Sequence, residues 1–75
     1  MSHTEERLVM MANQIARAFA RLPHNEAVAN VADHIKSFWE RRMLAQIYAH
    51  MDAGDDGLHD IAREALMALR ESAAA

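Results

Sequence analysis

No cysteine occurs among the 75 residues of this chain, and for so short a polypeptide that absence narrows the folding options more than any residue present. A single core in a chain below about 70–80 residues rarely supplies more than roughly 3–5 kcal/mol, so small proteins often add disulfides, a structural metal or a partner. Without thiols, disulfide staples, thiolate zinc sites and iron–sulfur ligation all fall away. Tight helix packing or a partner is left. The expectation is one domain, residues 1–75.

Periodicity points to helices throughout. Pro23 and the stretch Asp52-Ala53-Gly54-Asp55-Asp56-Gly57 punctuate the chain, with a softer break at Trp39-Glu40. Between them, helices are expected at about 4–22, 25–39, 40–51 and 59–70, and residues 72–75 read as a frayed tail. In the first segment Leu8, Ala12, Ile15, Phe19 and Leu22 form an apolar stripe at spacings of three and four. Ser2 and Glu5 have capping-box spacing, and Asn25 reads as the N-cap of the second segment. That segment carries Val28, Val31, Ile35 and Phe38. The third has Met43, Ile47 and Met51, with Leu44 and Tyr48 beside them, and the fourth has Ile61, Ala65, Leu66 and Leu69. No window alternates with period two over a strand's length. The fold class is therefore all-α: a small bundle of three to four short helices without a sheet.

The apolar faces are wider than one seam needs. Val9, Met10 and Met11 widen the first stripe, and adjacent Phe38 and Trp39 on a continuous helix would point about 100° apart. Methionine, aromatic residues and arginine are enriched at protein interfaces, so this surplus favours a protein partner. The formal charge of −3 argues against nucleic acid, whose phosphates reward a basic surface. No apolar run reaches the roughly 18 residues that would span a bilayer, so no membrane association is expected. The polar, acidic start of the chain is unlike a signal peptide, and cytoplasm is the expected location.

Candidate chemistry is thin. His3, His24, His34, His50 and His59 form no i, i+3 or i, i+4 pair, so no metal site is expected. Asp33 and His34 are adjacent, and adjacent helical side chains diverge, which deprives the imidazole of an orienting carboxylate. Laid on a calcium loop starting at Asp52, position three is Gly54 and position twelve is Arg63 in place of the bidentate glutamate. A turn between helices explains that stretch better. With Gly54 and Gly57 the only glycines, no phosphate cradle exists. Lys36, Arg41 and Arg42 form a small basic cluster near Trp39. Two arginines at a helix start are disfavoured by the dipole, which suits a role in gripping a partner's carboxylates.

Leu8-Val9-Met10-Met11-Ala12-Asn13-Gln14-Ile15-Ala16, then Phe19, Pro23, Glu26-Ala27 and Val31-Ala32-Asp33-His34-Ile35-Lys36-Ser37-Phe38-Trp39, followed by Arg42-Met43 and Gly57-Leu58, form a specific pattern. It resembles the delta subunit of molybdenum-containing, NAD-dependent formate dehydrogenase, over roughly residues 7 to 66. Helix periodicity alone does not account for Asn13-Gln14 or for Asp33-His34. Arg41 stands where the family pattern often has proline. The resemblance implies a non-catalytic accessory subunit of a cytoplasmic complex that oxidises formate to carbon dioxide. The resemblance further implies that such a subunit docks on the molybdenum-containing alpha subunit, among the other subunits of the complex, and supports assembly or stability. Molybdenum bis-pterin guanine dinucleotide, iron–sulfur clusters, flavin and NAD belong to other subunits, and this chain binds none of them. The partner-binding residues expected on that basis are Asn13 and Gln14, together with Asp33, His34, Trp39, Arg42 and Met43. Trp39 is the expected anchor and Phe38 the expected core residue. The rival reading is a self-associating helical adaptor with no enzyme partner.

Overall fold

Short apolar stripes broken by one proline and one glycine-bearing loop become four α-helices: α1 (His3–Phe19), α2 (His24–Phe38), α3 (Arg41–Asp52) and α4 (Asp60–Ala74). The structure, a computed structural model, describes residues 3–74, and no strand occurs among them. The expected Ser2–Glu5 capping box involves Ser2, which lies outside the described residues. The radius of gyration, 11.4 Å, equals the roughly 11 Å of a compact chain of this length.

Each stripe contributes to one core. Leu8, Val31, Ile35, Trp39, Ile47, Leu58, Ile61 and Leu66 are buried, along with Ala12, Ala16, Ala27, Ala62 and Ala65. All five alanines are fully excluded from solvent. Small side chains let helix axes approach to the short end of the usual 8–10 Å range, so the alanines act as contact points as well as helix formers. The closest approaches are α2 to α4 and α1 to each of the other three helices. α3 leans on α1 and stands off from α2 and α4. Its tie to α4 is made by long side chains: Arg70 clasps Asp52 through two bonds of 2.7 and 2.8 Å and lies 5.3 Å over the Tyr48 ring.

The helix ends differ from expectation in four places. α1 stops at Phe19, and Leu22 follows in a turn whose N–H bonds the Phe19 carbonyl at 3.0 Å. α2 is capped by Pro23, whose carbonyl accepts from the Ala27 N–H at 2.9 Å, so Asn25 lies inside the first turn rather than at the cap. Proline has no N–H to leave unsatisfied, and its ψ of 145° already has the extended value of an entry residue. α4 continues past Arg70 through Ser72 and Ala73 to Ala74 instead of fraying there, consistent with alanine's helix propensity. The fourth difference is Trp39. It ends α2 as an extended C-cap (φ −91°, ψ 140°), its N–H bonding Ile35 O at 2.8 Å, and Arg41 opens α3.

Candidate interaction surface

The connection between α3 and α4 shows what the polar residues near the glycines do. Gly54 and Gly57 adopt positive φ, +123° and +71°, conformations that favour glycine. Asp56 is the buried carboxylate of this loop, 7 % exposed. Its Oδ1 accepts from the Leu58 N–H at 3.0 Å and from Arg63 Nη2 at 2.8 Å, while Oδ2 accepts from Arg63 Nε at 3.1 Å. Arg63 also donates to Leu58 O and to Asp60 Oδ1. The Arg63 hydrogen bonds hold the Asp56 carboxyl below its usual range, assisted by the Leu58 N–H and opposed by burial. Position twelve of the failed calcium pattern is thus filled by the cation itself. His50 Nε2 lies 2.9 Å from the Asp56 carbonyl oxygen and ties α3 to the same loop.

Asn13, expected at a partner interface, is engaged inside the chain. Its Nδ2 donates to Gly57 O at 3.0 Å and its Oδ1 accepts from the His59 N–H at 2.8 Å, strapping α1 to the loop. His59 in turn caps α4, its Nδ1 accepting from the Ile61 N–H at 3.1 Å. This explains why an asparagine interrupts the apolar segment: only an amide offers one donor and one acceptor in that geometry. Asn13→Asp removes the donor and sets a carboxylate against the Gly57 carbonyl. The expected loss is about 1–2 kcal/mol, read as a lower urea midpoint at unchanged slope, with Gln14→Glu on the exposed neighbouring position close to neutral.

The second group of expected residues is split. Asp33, His34 and Arg42 are exposed, Met43 is half-buried, and Trp39 belongs to the core. Met43 Sδ accepts from the Glu40 N–H at 3.5 Å and so helps to close the start of α3. Phe38, expected inside, is 72 % exposed, the highest among the large exposed apolar side chains, which also include Met10 and Met67. The burial expected of Phe38 and Trp39 is therefore reversed. The reason is the line of the buried seam: Ala27, Val31, Ile35 and Trp39 follow one another at spacings of four, so Trp39 continues the face that packs inward and Phe38 lies about 100° away from it. Phe38 instead stacks on His34, ring centroids 4.7 Å apart, and His34 lies 6.4 Å from the half-buried Phe19. Aromatic contacts of this geometry hold the exposed rings in one orientation. The result is an aromatic corner, Phe19–His34–Phe38, shared by α1 and the end of α2. Among the described residues no three His, Asp or Glu side chains converge as a metal-ligand set, and no helix is long and apolar enough to cross a membrane.

These features define a small all-α domain of four short helices whose distinctive exposed feature is an aromatic corner. The family model described as NADH-dependant formate dehydrogenase delta subunit FdsD matches residues 7–66, and the chain belongs to that family. The matched span includes α2, α3, the Asn13 strap, the Asp56–Arg63 pair and the aromatic corner. No curated protein and no solved structure matches the chain. Membership makes the chain a formate dehydrogenase delta-subunit protein, associated with other subunits of that oxidoreductase.

Proposed function

We propose that the chain is a non-catalytic accessory subunit that docks on the molybdenum-containing alpha subunit of a cytoplasmic, NAD-linked formate dehydrogenase and stabilises the assembled, cofactor-loaded complex. The observation that carries this reading is the family match over residues 7–66 taken with the exposure of Phe38. A phenylalanine left in water forfeits roughly 1.5–3 kcal/mol of burial, and a partner surface recovers it. With no cysteine in the chain, iron–sulfur ligation falls to other subunits, as do the molybdenum, flavin and NAD sites. Asp33, His34 and Arg42 stand on the exposed surface with Phe38 and are the polar contacts assigned to the interface. Arg42 is suited to bidentate pairing with a carboxylate.

A subunit that binds only the folded partner stabilises it by mass action, about 2.7 kcal/mol at a hundredfold excess over Kd. Expression of the complex with and without this chain tests the reading. Without it, lower molybdenum content, lower formate-oxidising activity and an earlier thermal transition of the alpha subunit are expected. If all three are unchanged, the accessory role is refuted.

A further inference from the structure

The aromatic corner is not the only surface left open. Because α3 leans on α1, a groove of about 470 Å³ separates it from the C-terminal halves of α2 and α4. Its walls include Leu44, Tyr48 and Leu69, with exposed Ala45 at its edge and Lys36 and Arg41 along the rim. The volume falls in the range of sites that enclose a sizeable apolar group. The electrostatics are specific to the place. The chain as a whole is acidic, with 11 carboxylates against 8 cations, yet two cations and no carboxylate line this groove. Among the described residues no carboxylate pairs with Lys36 or Arg41. Arg70, stacked on Tyr48 nearby, is by contrast neutralised by Asp52. Arg41 also sits in the first turn of α3, where a cation faces the positive end of the helix dipole and a carboxylate brought to it gains from both.

We propose that this groove receives an acidic, amphipathic segment of a partner polypeptide, one apolar side chain seated among Leu44, Tyr48 and Leu69 while flanking carboxylates meet Lys36 and Arg41. The proposal rests on the subunit reading, since it takes the segment to belong to another formate dehydrogenase subunit. Charge complementarity selects the occupant: a basic or neutral segment would leave the rim unpaired, and a rim of one sign discriminates among partners more than it adds affinity. Burial pushes the Tyr48 hydroxyl up against the opposing pull of Arg70, so it stays protonated and can donate to the same carboxylates.

Competition within the complex tests this. Wild-type chain and a variant are co-expressed in equal amounts with the other subunits, and the ratio incorporated is read by mass spectrometry. Two variants change the groove without touching the core: Lys36→Gln with Arg41→Glu, which reverses the sign of the rim charge and suits the dipole at α3, and Ala45→Trp, which fills the groove from an exposed position. Circular dichroism of each confirms retained helicity. Both are expected to be depleted on the order of tenfold relative to wild type, and the charge variant should lose its disadvantage at high salt. A photo-reactive residue placed at position 45 should crosslink to a peptide of another subunit that carries an apolar residue flanked by Asp or Glu.

Incorporation of both variants at parity, with Phe38→Ala depleted, overturns the groove and leaves the subunit reading standing. Failure of the wild-type chain to enter the complex overturns both. A crosslink to a second copy of this chain, or to a segment without carboxylates, overturns the assigned occupant.

Discussion

Trp39→Ala is expected to leave the chain largely unfolded when isolated, whereas Phe38→Ala, one residue earlier, should fold like wild type. Truncating a buried tryptophan typically removes about 3–5 kcal/mol, which is as much as a core of this size supplies in total. Trp39 is 7 % exposed and packs in the same core cluster as Ile35, Ile47 and Leu66, so its loss opens a cavity where α2 meets α3. Phe38, at 72 % exposure, gives up only its stacking on His34, worth about 0.5–1.5 kcal/mol at most. Far-ultraviolet circular dichroism with urea titration separates the two. The same pair should then invert in a binding assay with the complex, where Phe38→Ala retains the fold and loses affinity. Equal unfolding midpoints for the two variants would show that the burial difference has no energetic consequence.

Asp56→Ala should be the next most damaging change. It breaks the two-bond pair to Arg63 and strands the Leu58 N–H. Removing one partner of a buried pair costs about 3–5 kcal/mol. Arg63 is 39 % exposed, and its guanidinium can rehydrate, so a loss of about 2–3 kcal/mol is expected. Asp56→Asn keeps an oxygen for the Leu58 N–H and Arg63 Nη2 but loses the charge and the acceptor for Arg63 Nε, so its cost falls below that of the alanine variant, at about 1–2 kcal/mol.

Acid dependence supplies a second readout. The folded Asp56 carboxyl lies below its ordinary range because Arg63 and the Leu58 N–H bond its charged form. Its contribution is therefore complete above the ordinary aspartate range and is lost as the pH falls below about 4. Wild type should lose stability steeply there. Asp56→Asn should lose less, with a remainder from Asp52, which Arg70 lowers in the same direction. Superimposable acid profiles for wild type and Asp56→Asn would remove the carboxylate from this account.

Both variants bear on assembly as well as folding. The loop that Asp56 closes also receives Asn13 from α1 and His50 from α3, and leads through His59 into α4. Three helices are therefore registered against one short polar segment. If it opens, α4 loses its cap and the wall of the groove that Leu69 provides.

Residue pattern alone carried the helices and the apolar identity of most of each seam, because spacing of three and four is a property of the helix cylinder and needs no partner to be read. Leu8, Ala12, Val31, Ile35, Ile47, Ile61, Ala65 and Leu66 were legible as core on that basis, and all are buried. The motif containing Asn13-Gln14 carried the family. What the motif did not carry was the work Asn13 does: its partners are Gly57 and His59, more than 40 residues away, and no local pattern encodes a bond across that separation. Arg63 closing on Asp56 is nearer in sequence, and the failed calcium pattern was a usable hint, since it put a cation at the position where a carboxylate should chelate one.

Only the tertiary structure decided which of Phe38 and Trp39 faces inward. Helical geometry offers both an equal claim, since Phe38 lies three and Trp39 four residues beyond Ile35, and packing in the assembled core selects the line Ala27, Val31, Ile35 and Trp39. The groove has the same origin. Helix faces follow from side-chain order, but the gap between α3 and α4 follows from where α3 rests, and that is a balance of contacts summed over the whole molecule.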